Sequence, residues 1–247
     1  MTKTAFYGSL FWVACLVPFV AVAEEESAGR RLFIEAEVGA GFGNADDFKF
    51  RNPVGTAFTT NPTSGDYILM NSTDDNDTSV FAGAAIGLFL NPNWYVKANY
   101  RYFGDYDATG FASFNGSSVA QELELEVHGA TVAMGAITNV GEKFFVEGSV
   151  EIGAAFVDAR GWQGRNQGAG SRFPSHDETN FAFGGGGGVG YHLSDSADFI
   201  IRAMYYDLGE ADTGTTGATP PAGMNTGEQL QSDLDAVTLS AGIRMRF

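Results

Sequence analysis

The last residues of the chain alternate strictly between two kinds of side chain. Every second position from 237 to 247 is apolar: Val237, Leu239, Ala241, Ile243, Met245 and Phe247. The residues between them are polar, small or charged: Thr238, Ser240, Gly242, Arg244 and Arg246. Because successive side chains of a β-strand point to opposite faces, this period of two predicts a strand with one apolar and one polar face.

The same alternation recurs along the chain and predicts eight strands. They cover residues 32–42, 79–90, 94–103, 119–138, 144–157, 180–193, 198–208 and 234–247. The segment 119–138 is the least regular, since Glu122, Glu124, Glu126 and His128 share a face but the pattern blurs at Gly129, where we expect a bulge. The 33 glycines, 21 phenylalanines and only 7 prolines also favour strands and tight turns over helices.

The connections between these strands alternate in length. Residues 91–93, 139–143 and 194–197 are short turns, whereas 43–78, 104–118, 158–179 and 209–233 are long, polar and rich in Gly, Asp, Asn and Thr. Short turns at one end and long loops at the other are typical of outer-membrane barrels. The sequence therefore predicts an all-β fold, an eight-stranded antiparallel up-and-down transmembrane β-barrel with four long extracellular loops.

The first 23 residues have the three parts of a secretory signal peptide. Lys3 gives the positive start, residues 11–22 are almost wholly apolar, and Ala21-Val22-Ala23 is a small-x-small cleavage site. The alternatives are an uncleaved membrane anchor, which Pro18 disfavours, and a lipoprotein signal at Cys15, whose lead-in is poor. We expect a signal peptide over 1–23 and one barrel domain over 24–247.

Cleavage after residue 23 has consequences for composition. It removes the only cysteine, which excludes disulfides, and one basic residue, Lys3, leaving 13 basic and 30 acidic residues. Such an acidic chain is not expected to bind nucleic acid, whose partners carry a basic face. No cofactor motif is present, since the glycine run 184–188 lacks the lysine of a phosphate-binding loop and lies in a strand.

Alternation alone does not say which face of the barrel points inward, and a soluble binding barrel would put its apolar face inside. Export, strands of about ten residues or more and aromatic residues near both strand ends favour an apolar face toward lipid. The aromatics near the short turns are Trp94, Phe144, Tyr191, Phe199 and Phe247. Those nearer the long loops are Phe42, Tyr102, Phe156, Phe181 and Tyr205.

An apolar exterior predicts a charged lumen. The expected lumenal charges are Glu35, Glu37, Lys97, Arg101, Glu124, Glu147, Glu151, Arg202, Arg244 and Arg246. If the first and last strands close the barrel, Glu35 and Glu37 should meet Arg244 and Arg246 across the seam.

The sixth predicted strand would face the lumen with four glycines, at 184, 186, 188 and 190. We expect these glycines to leave room for Glu147 and Glu151 to reach Arg202 from the flanking strands. Such a network would plug the barrel, whereas an open glycine strip would be a water path.

Other polar groups offer weaker chemistry. His128, Ser149 and Glu151 lie on neighbouring strands, but no motif of a hydrolase accompanies them, so we expect no enzyme activity. Asp74-Asp75-Asn76-Asp77 lacks the glycine and glutamate of a calcium-binding EF-hand loop, which favours a solvated acidic loop. The third long loop has a basic set in Arg160, Arg165 and Arg172, and is the better candidate for contact with lipopolysaccharide phosphates or a host anion.

Three stretches carry a resemblance to a known family. Residues 181–191 (FAFGGGGGVGY), 205–209 (YYDLG) and 239–247 (LSAGIRMRF) resemble the opacity-protein-like eight-stranded barrels of Gram-negative outer membranes, and the alternation ending at Phe247 resembles their assembly signal. The resemblance implies a surface-exposed barrel in the outer membrane, inserted by the assembly machinery. It implies little about activity, because the family is functionally mixed. We expect a structural, surface-antigen or adhesion role; the alternative is a narrow porin-like channel for small solutes.

Overall fold

The computed structural model describes residues 31–51, 67–69, 71–74, 76–114, 117–164, 170–219 and 226–247, so the predicted signal segment 1–23 lies outside them. The strands are β1 (Leu32–Arg51), β2 (Tyr67–Leu69), β3 (Asn71–Asp74), β4 (Asn76–Asn91), β5 (Trp94–Phe114), β6 (Ser117–Val140), β7 (Phe144–Gln163), β8 (Ser171–Arg172), β9 (His176–Ser194), β10 (Ala197–Asp212) and β11 (Gln229–Arg246). Within these ranges we find no helix that is long and apolar enough to cross a bilayer.

Eight long strands close into one barrel. They follow the order β1-β4-β5-β6-β7-β9-β10-β11, every neighbouring pair is antiparallel, and β11 pairs back onto β1. The closing pair runs from Phe33 opposite Arg246 to Arg51 opposite Gln229. The short strands β2, β3 and β8 add to β1, β5 and β7. The predicted eight-stranded antiparallel up-and-down barrel is confirmed.

The two ends of the barrel differ. At one end, which we call the turn end, β4–β5, β6–β7 and β9–β10 are joined by the short turns that the sequence predicts. Toward the other end, the far end, the strands run well beyond their predicted limits. The segment 104–118 is a correction, because β5 and β6 remain paired there until Phe114 faces Ser117. The Gly and Asp residues of this segment do not mark a loop. They lie on paired strands that extend beyond the membrane into water.

The half of the barrel nearer the turn end, which we call the lower half, has an apolar exterior. Exposed side chains there include Val38, Ile86, Val132, Val150 and Leu239, with exposed fractions between 52 and 67%. The polar faces of the same strands point into the lumen. An exterior this apolar fits lipid and not water, in agreement with the predicted orientation.

The far half, which we call the upper half, has the opposite arrangement. On β6, Leu123, Leu125 and Val127 are buried in the interior, while Glu122 and Glu124 point outward. The prediction that Glu124 is lumenal is therefore wrong. A polar face points inward only where the exterior is lipid. Since β6 has 24 residues, far more than the 9–11 that cross a bilayer, its upper part extends beyond the lipid.

Bulges reset the alternation between the two halves on some strands. On β5, Tyr102 faces His128 and Gly104 faces Val127, so one residue is skipped. Gly104 has a φ of 113°, which favours glycine. After this bulge the inward positions change from Phe103 to Tyr106, so apolar residues still reach the interior.

Candidate functional site

Charged side chains from five strands meet in the lumen of the lower half. The four acids are Glu35 and Glu37 on β1 and Glu147 and Glu151 on β7. The four bases are Lys97 and Arg101 on β5, Arg202 on β10 and Arg244 on β11. All eight are buried, with exposed fractions of 9% or less. We call this set the charged plug; its formal charges cancel.

Glu35 lies at the centre of the plug. Its Oε1 accepts hydrogen bonds from Lys97 Nζ at 2.9 Å and Arg202 Nη1 at 2.6 Å. Its Oε2 accepts from Arg202 Nη2 at 2.8 Å and Arg244 Nε at 3.0 Å. One carboxylate is thus bound by three cations, including a bidentate pair with Arg202, the strongest geometry for a buried ion pair.

Arg101 forms the second centre. Its Nε donates to Glu37 Oε1 at 2.9 Å, and its two terminal nitrogens bind both oxygens of Glu151. Thr131 Oγ1 donates to Glu151 Oε2 at 2.9 Å. Arg202 Nη1 joins the two centres by donating to Glu37 Oε2 at 3.1 Å. The plug is therefore one connected network across the barrel.

The glycines of β9 allow contacts across that strand. Arg202 on β10 donates from Nε to Glu147 Oε1 on β7 at 2.5 Å, although β9 lies between the two strands. A Cβ at Gly188, which faces both residues in the ladder, would lie 2.8 Å from Arg202 Cγ. The expected bridge thus exists for Glu147. The expectation that Glu151 also reaches Arg202 is wrong, because Glu151 binds Arg101 on β5, which lies two strands from β7 in the other direction.

Apolar layers enclose the plug above and below. The layer toward the turn end, the lower core, consists of Phe33, Tyr95, Ile137, Phe145 and Ile200. The layer in the upper half, the upper core, includes Phe81, Phe103, Leu125, Tyr206 and Leu234. Aromatic rings connect the layers with the plug, since Arg244 lies 5.0 Å from the ring centre of Phe33 and Arg101 lies 5.4 Å from that of Tyr206.

The closing seam brings together only part of the predicted set. Glu35 faces Arg244 in the ladder and binds it, as expected. Glu37 faces Gly242 and binds Arg101 and Arg202, whereas Arg246 faces Phe33. The expectation that Glu37 and Arg246 form ion pairs across the seam is therefore wrong, because side-chain length and direction decide the contacts, and ladder register alone does not.

Arg246 belongs to a separate polar group at the turn end. Its Nη2 donates to Asp198 Oδ1 at 2.6 Å, and His192 Nδ1 lies 2.7 Å from the same oxygen. These three residues line an open pocket of about 310 Å³, whose other lining residues include Phe145 and Ile137 of the lower core. The pocket thus reaches the lower core from outside and does not include any residue of the plug.

Several plug contacts come from residues that the sequence analysis did not single out. Thr131 and Asn99 bind Glu151, and Ser240 Oγ donates to Glu37 Oε2 at 3.1 Å. All three occupy the polar face of an alternating strand, which is the signal that could have found them. The buried Tyr95 and Phe33 lie on the same kind of face, but an aromatic residue gives no such signal.

The weaker candidate sites are dispersed in the structure. His128 lies on the outer face, 3.2 Å from Tyr100 Oη and 3.4 Å from Glu126 Oε1, whereas Ser149 is buried in the lumen, so the two do not meet. Asp77 Oδ1 and Oδ2 accept from the backbone nitrogens of Thr78 and Asp107, while the neighbouring Asp75 lies outside the described residues.

The structure also describes parts of the predicted basic loop and of the predicted assembly signal. Arg160 binds Asp158 at 2.6 Å and lies 3.8 Å from Glu126, so its charge is already compensated. Arg172 lies over the Trp162 ring, and Arg165 is outside the described residues. Phe247 points outward, 57% exposed, and its backbone nitrogen donates to Leu32 O at 2.8 Å. Its role in assembly stays a prediction.

A closed eight-stranded barrel with an apolar exterior and an ion-paired lumen is the architecture of outer-membrane β-barrel proteins. Among solved structures, the outer membrane protein OprG from Pseudomonas aeruginosa is similar over 89% of this chain and 98% of its own, at 12% identity and a TM-score of 0.53. Neisserial surface protein A is similar over 90% and 100% of the two chains, at 11% identity and a TM-score of 0.47. No protein-family model and no curated protein sequence matches the chain. The likeness to OprG supports the barrel fold.

Proposed function

We propose that this chain is a non-conducting, non-enzymatic outer-membrane barrel with a structural, surface-antigen or adhesion role. The observation that carries the proposal is the charged plug, in which Glu35, Arg202 and Glu147 join β1, β10 and β7 directly across the lumen. Eight strands enclose a space that side chains can fill. A barrel filled in this way holds a rigid upper half outside the bilayer for contact with other molecules.

The alternative is a narrow channel for small solutes. A channel needs a continuous polar path, and here the plug is covered on both sides by apolar layers. The pocket at the turn end stops at Ile137 and Phe145. Water and solutes would have to cross the lower core, the ion-paired plug and the upper core, so the channel role has the weaker support.

The partners follow from the same proposal. The upper half would face the lipopolysaccharide layer and the cell exterior, and the assembly machinery of the outer membrane would insert the barrel. The neutralised Arg160 weakens the basic loop as a binder of lipopolysaccharide phosphates. The upper exterior instead offers outward-pointing acids of β5 and β6, such as Asp107 and Glu124, whose backbones are paired.

Planar-bilayer recording tests the closed lumen. The purified chain should give no stepwise currents, because the plug blocks ion passage. Arg202→Ala removes one partner from each of Glu35, Glu37 and Glu147, but each keeps another basic partner and both apolar layers remain, so this variant should also give no stepwise currents. The control Arg160→Ala, which removes an exposed ion pair, should stay silent. Stepwise currents from the unmodified chain would favour the channel.

Labelling of single cysteines on intact cells tests the orientation. The chain has one cysteine, in the segment predicted to be removed, so an introduced thiol would be the only one. A membrane-impermeant maleimide should label Asp107→Cys in the upper half and should not label Asp195→Cys, which lies in a turn at the turn end. Labelling of the second variant alone would mean that the barrel has the opposite orientation, which would contradict the proposed display of its upper half.

A further inference from the structure

A histidine and two carboxylates meet where β9 and β10 separate in the upper half. The ladder between these strands ends, within the described residues, where Phe183 faces Asp207. Beyond that point β9 side chains bind the β10 backbone: Asn180 Nδ2 donates to Glu210 O, and Glu178 Oε2 accepts from Asp212 N at 3.2 Å. His176 and Glu178 are two residues apart on β9, so they share a face of the strand.

The ligand atoms of these residues are close to one another. His176 Nδ1 lies 2.7 Å from Asp212 Oδ1 and 3.7 Å from Glu178 Oε1, and one ligand atom of each residue falls within 4.8 Å of the others. A tetrahedral zinc ion with bonds of about 2.0–2.1 Å holds its ligands about 3.3 Å apart. The observed separations fall on both sides of this value, so small rotations of the side chains would suffice.

The local charge also favours a cation. Two carboxylates, those of Glu178 and Asp212, share the cluster with one histidine. In the part of the chain that the structure describes, His176 is the only basic side chain within 4.0 Å of Glu178 or Asp212. The cluster therefore combines three strong ligands with an excess of negative charge that a divalent cation would neutralise.

We propose that His176, Glu178 and Asp212 form a binding site for one divalent transition-metal ion, with Zn²⁺ as the best fit. The imidazole selects the chemistry, because Ca²⁺ and Mg²⁺ prefer oxygen ligands only, whereas zinc accepts mixed nitrogen and oxygen ligands. The His176 side chain is 45% exposed, so an ion can enter from solvent and water can complete its coordination. The ion would join β9 to β10 beyond the end of their ladder.

Competition of the refolded barrel with a chromogenic zinc indicator tests the site. We expect one Zn²⁺ per chain, and a Co²⁺ absorption band whose intensity reports the coordination number. His176→Ala and Asp212→Asn should each weaken binding by at least about tenfold, the lower end of the loss seen when only an outer-shell partner of a metal ligand is removed. The matched control is His128→Ala, which also removes an exposed histidine beside one carboxylate, Glu126.

Heat-modifiable mobility on a gel shows that each variant has folded. Zn²⁺ should raise the unfolding temperature of the unmodified chain and of His128→Ala, but not that of folded His176→Ala. Zinc binding that is unchanged in both site variants would overturn the proposal, as would displacement of the Zn²⁺ by an equal concentration of Ca²⁺. Loss of binding in His128→Ala would place the site elsewhere and overturn it as well.

Discussion

The lower and upper halves of this barrel share their strands but have opposite interiors. In the lower half the exterior is apolar and the lumen holds the charged plug. In the upper half the exterior carries residues such as Glu122 and Glu124, and the interior is the upper core. The solvent outside determines which face of a strand points inward. The same strands therefore turn a polar face inward where lipid surrounds them and an apolar face inward where water does.

The two halves are also stabilised by different forces. Burial of apolar side chains such as Leu125 and Phe103 from water stabilises the upper half through the hydrophobic effect. The apolar exterior of the lower half faces lipid, so the hydrophobic effect does not stabilise it in this way. Packing, hydrogen bonds and ion pairs in the lumen must stabilise this half. Each of the following substitutions affects one half.

The largest effect is expected from Arg202→Ala in the plug. The substitution leaves Glu35 and Glu147 short of a partner inside the lumen, and removal of one member of a buried ion pair costs about 3–5 kcal/mol. Urea unfolding of the detergent-refolded barrel measures the loss. Arg160→Ala, at an exposed ion pair, should cost about 1 kcal/mol or less. Equal losses would mean that the plug contributes no more than surface charge.

Leu125→Ala should have the next largest effect. Leu125 is 1% exposed in the upper core, and truncation of a buried leucine costs about 2–5 kcal/mol. Its neighbour Glu124 points outward, so Glu124→Ala should change the free energy of unfolding by about 0.5 kcal/mol or less. The same urea titration compares them. A larger loss at Glu124 than at Leu125 would contradict the inverted interior of the upper half.

Gly186→Leu should destabilise the barrel by about 1–3 kcal/mol through overpacking. A Cβ at this inward position would lie 2.2 Å from Ala203 O and 2.9 Å from Met204 Sδ. At the adjacent Gly185, whose Cβ would face outward, the nearest atom is 3.6 Å away. Gly185→Leu is therefore the matched control and should be close to neutral in thermal unfolding. Similar midpoints for both variants would show that the glycine face is not packed.

The smallest effect is expected from Asp107→Asn on the exterior of the upper half. Asp107 faces Glu124 directly, and partial burial together with Glu124 and Asp77 raises the pKa of Asp107. A raised pKa means that the folded chain binds this proton more tightly than the unfolded chain. Ionisation of Asp107 therefore destabilises the fold at neutral pH, and stability is regained as the pH falls through the raised pKa.

The substitution should accordingly stabilise the barrel by a few tenths of a kcal/mol at pH 7, the size expected for like charges opposed across strands. Thermal unfolding at pH 7 and pH 4 measures the difference, which should shrink at the lower pH. A gain that grows toward low pH would have the wrong sign for this cause.

Alternation in the sequence predicts the fold and most of the plug, because it assigns each residue to a face. It fails for Glu124 and for segment 104–118, because the sequence does not mark the depth at which lipid gives way to water. It also fails for contacts across the lumen. Glu151 binds Arg101 and not Arg202. Which arginine it binds depends on the distance between the side chains, and the ladder register does not fix this distance.

The plug also links the order of assembly to the state of charge. Glu35 lies on the first barrel strand, and its partners Arg202 and Arg244 follow 167 and 209 residues later. In a sheet that is not yet closed between β11 and β1, Arg202 and Arg244 lie toward the opposite edge from Glu35, and only Lys97 lies two strands away. Full neutralisation of Glu35 therefore requires closure of the seam, whereas Arg101 on β5 and Glu151 on β7 can pair before it. We expect the barrel to form in an all-or-none manner, without a stable open sheet in the bilayer.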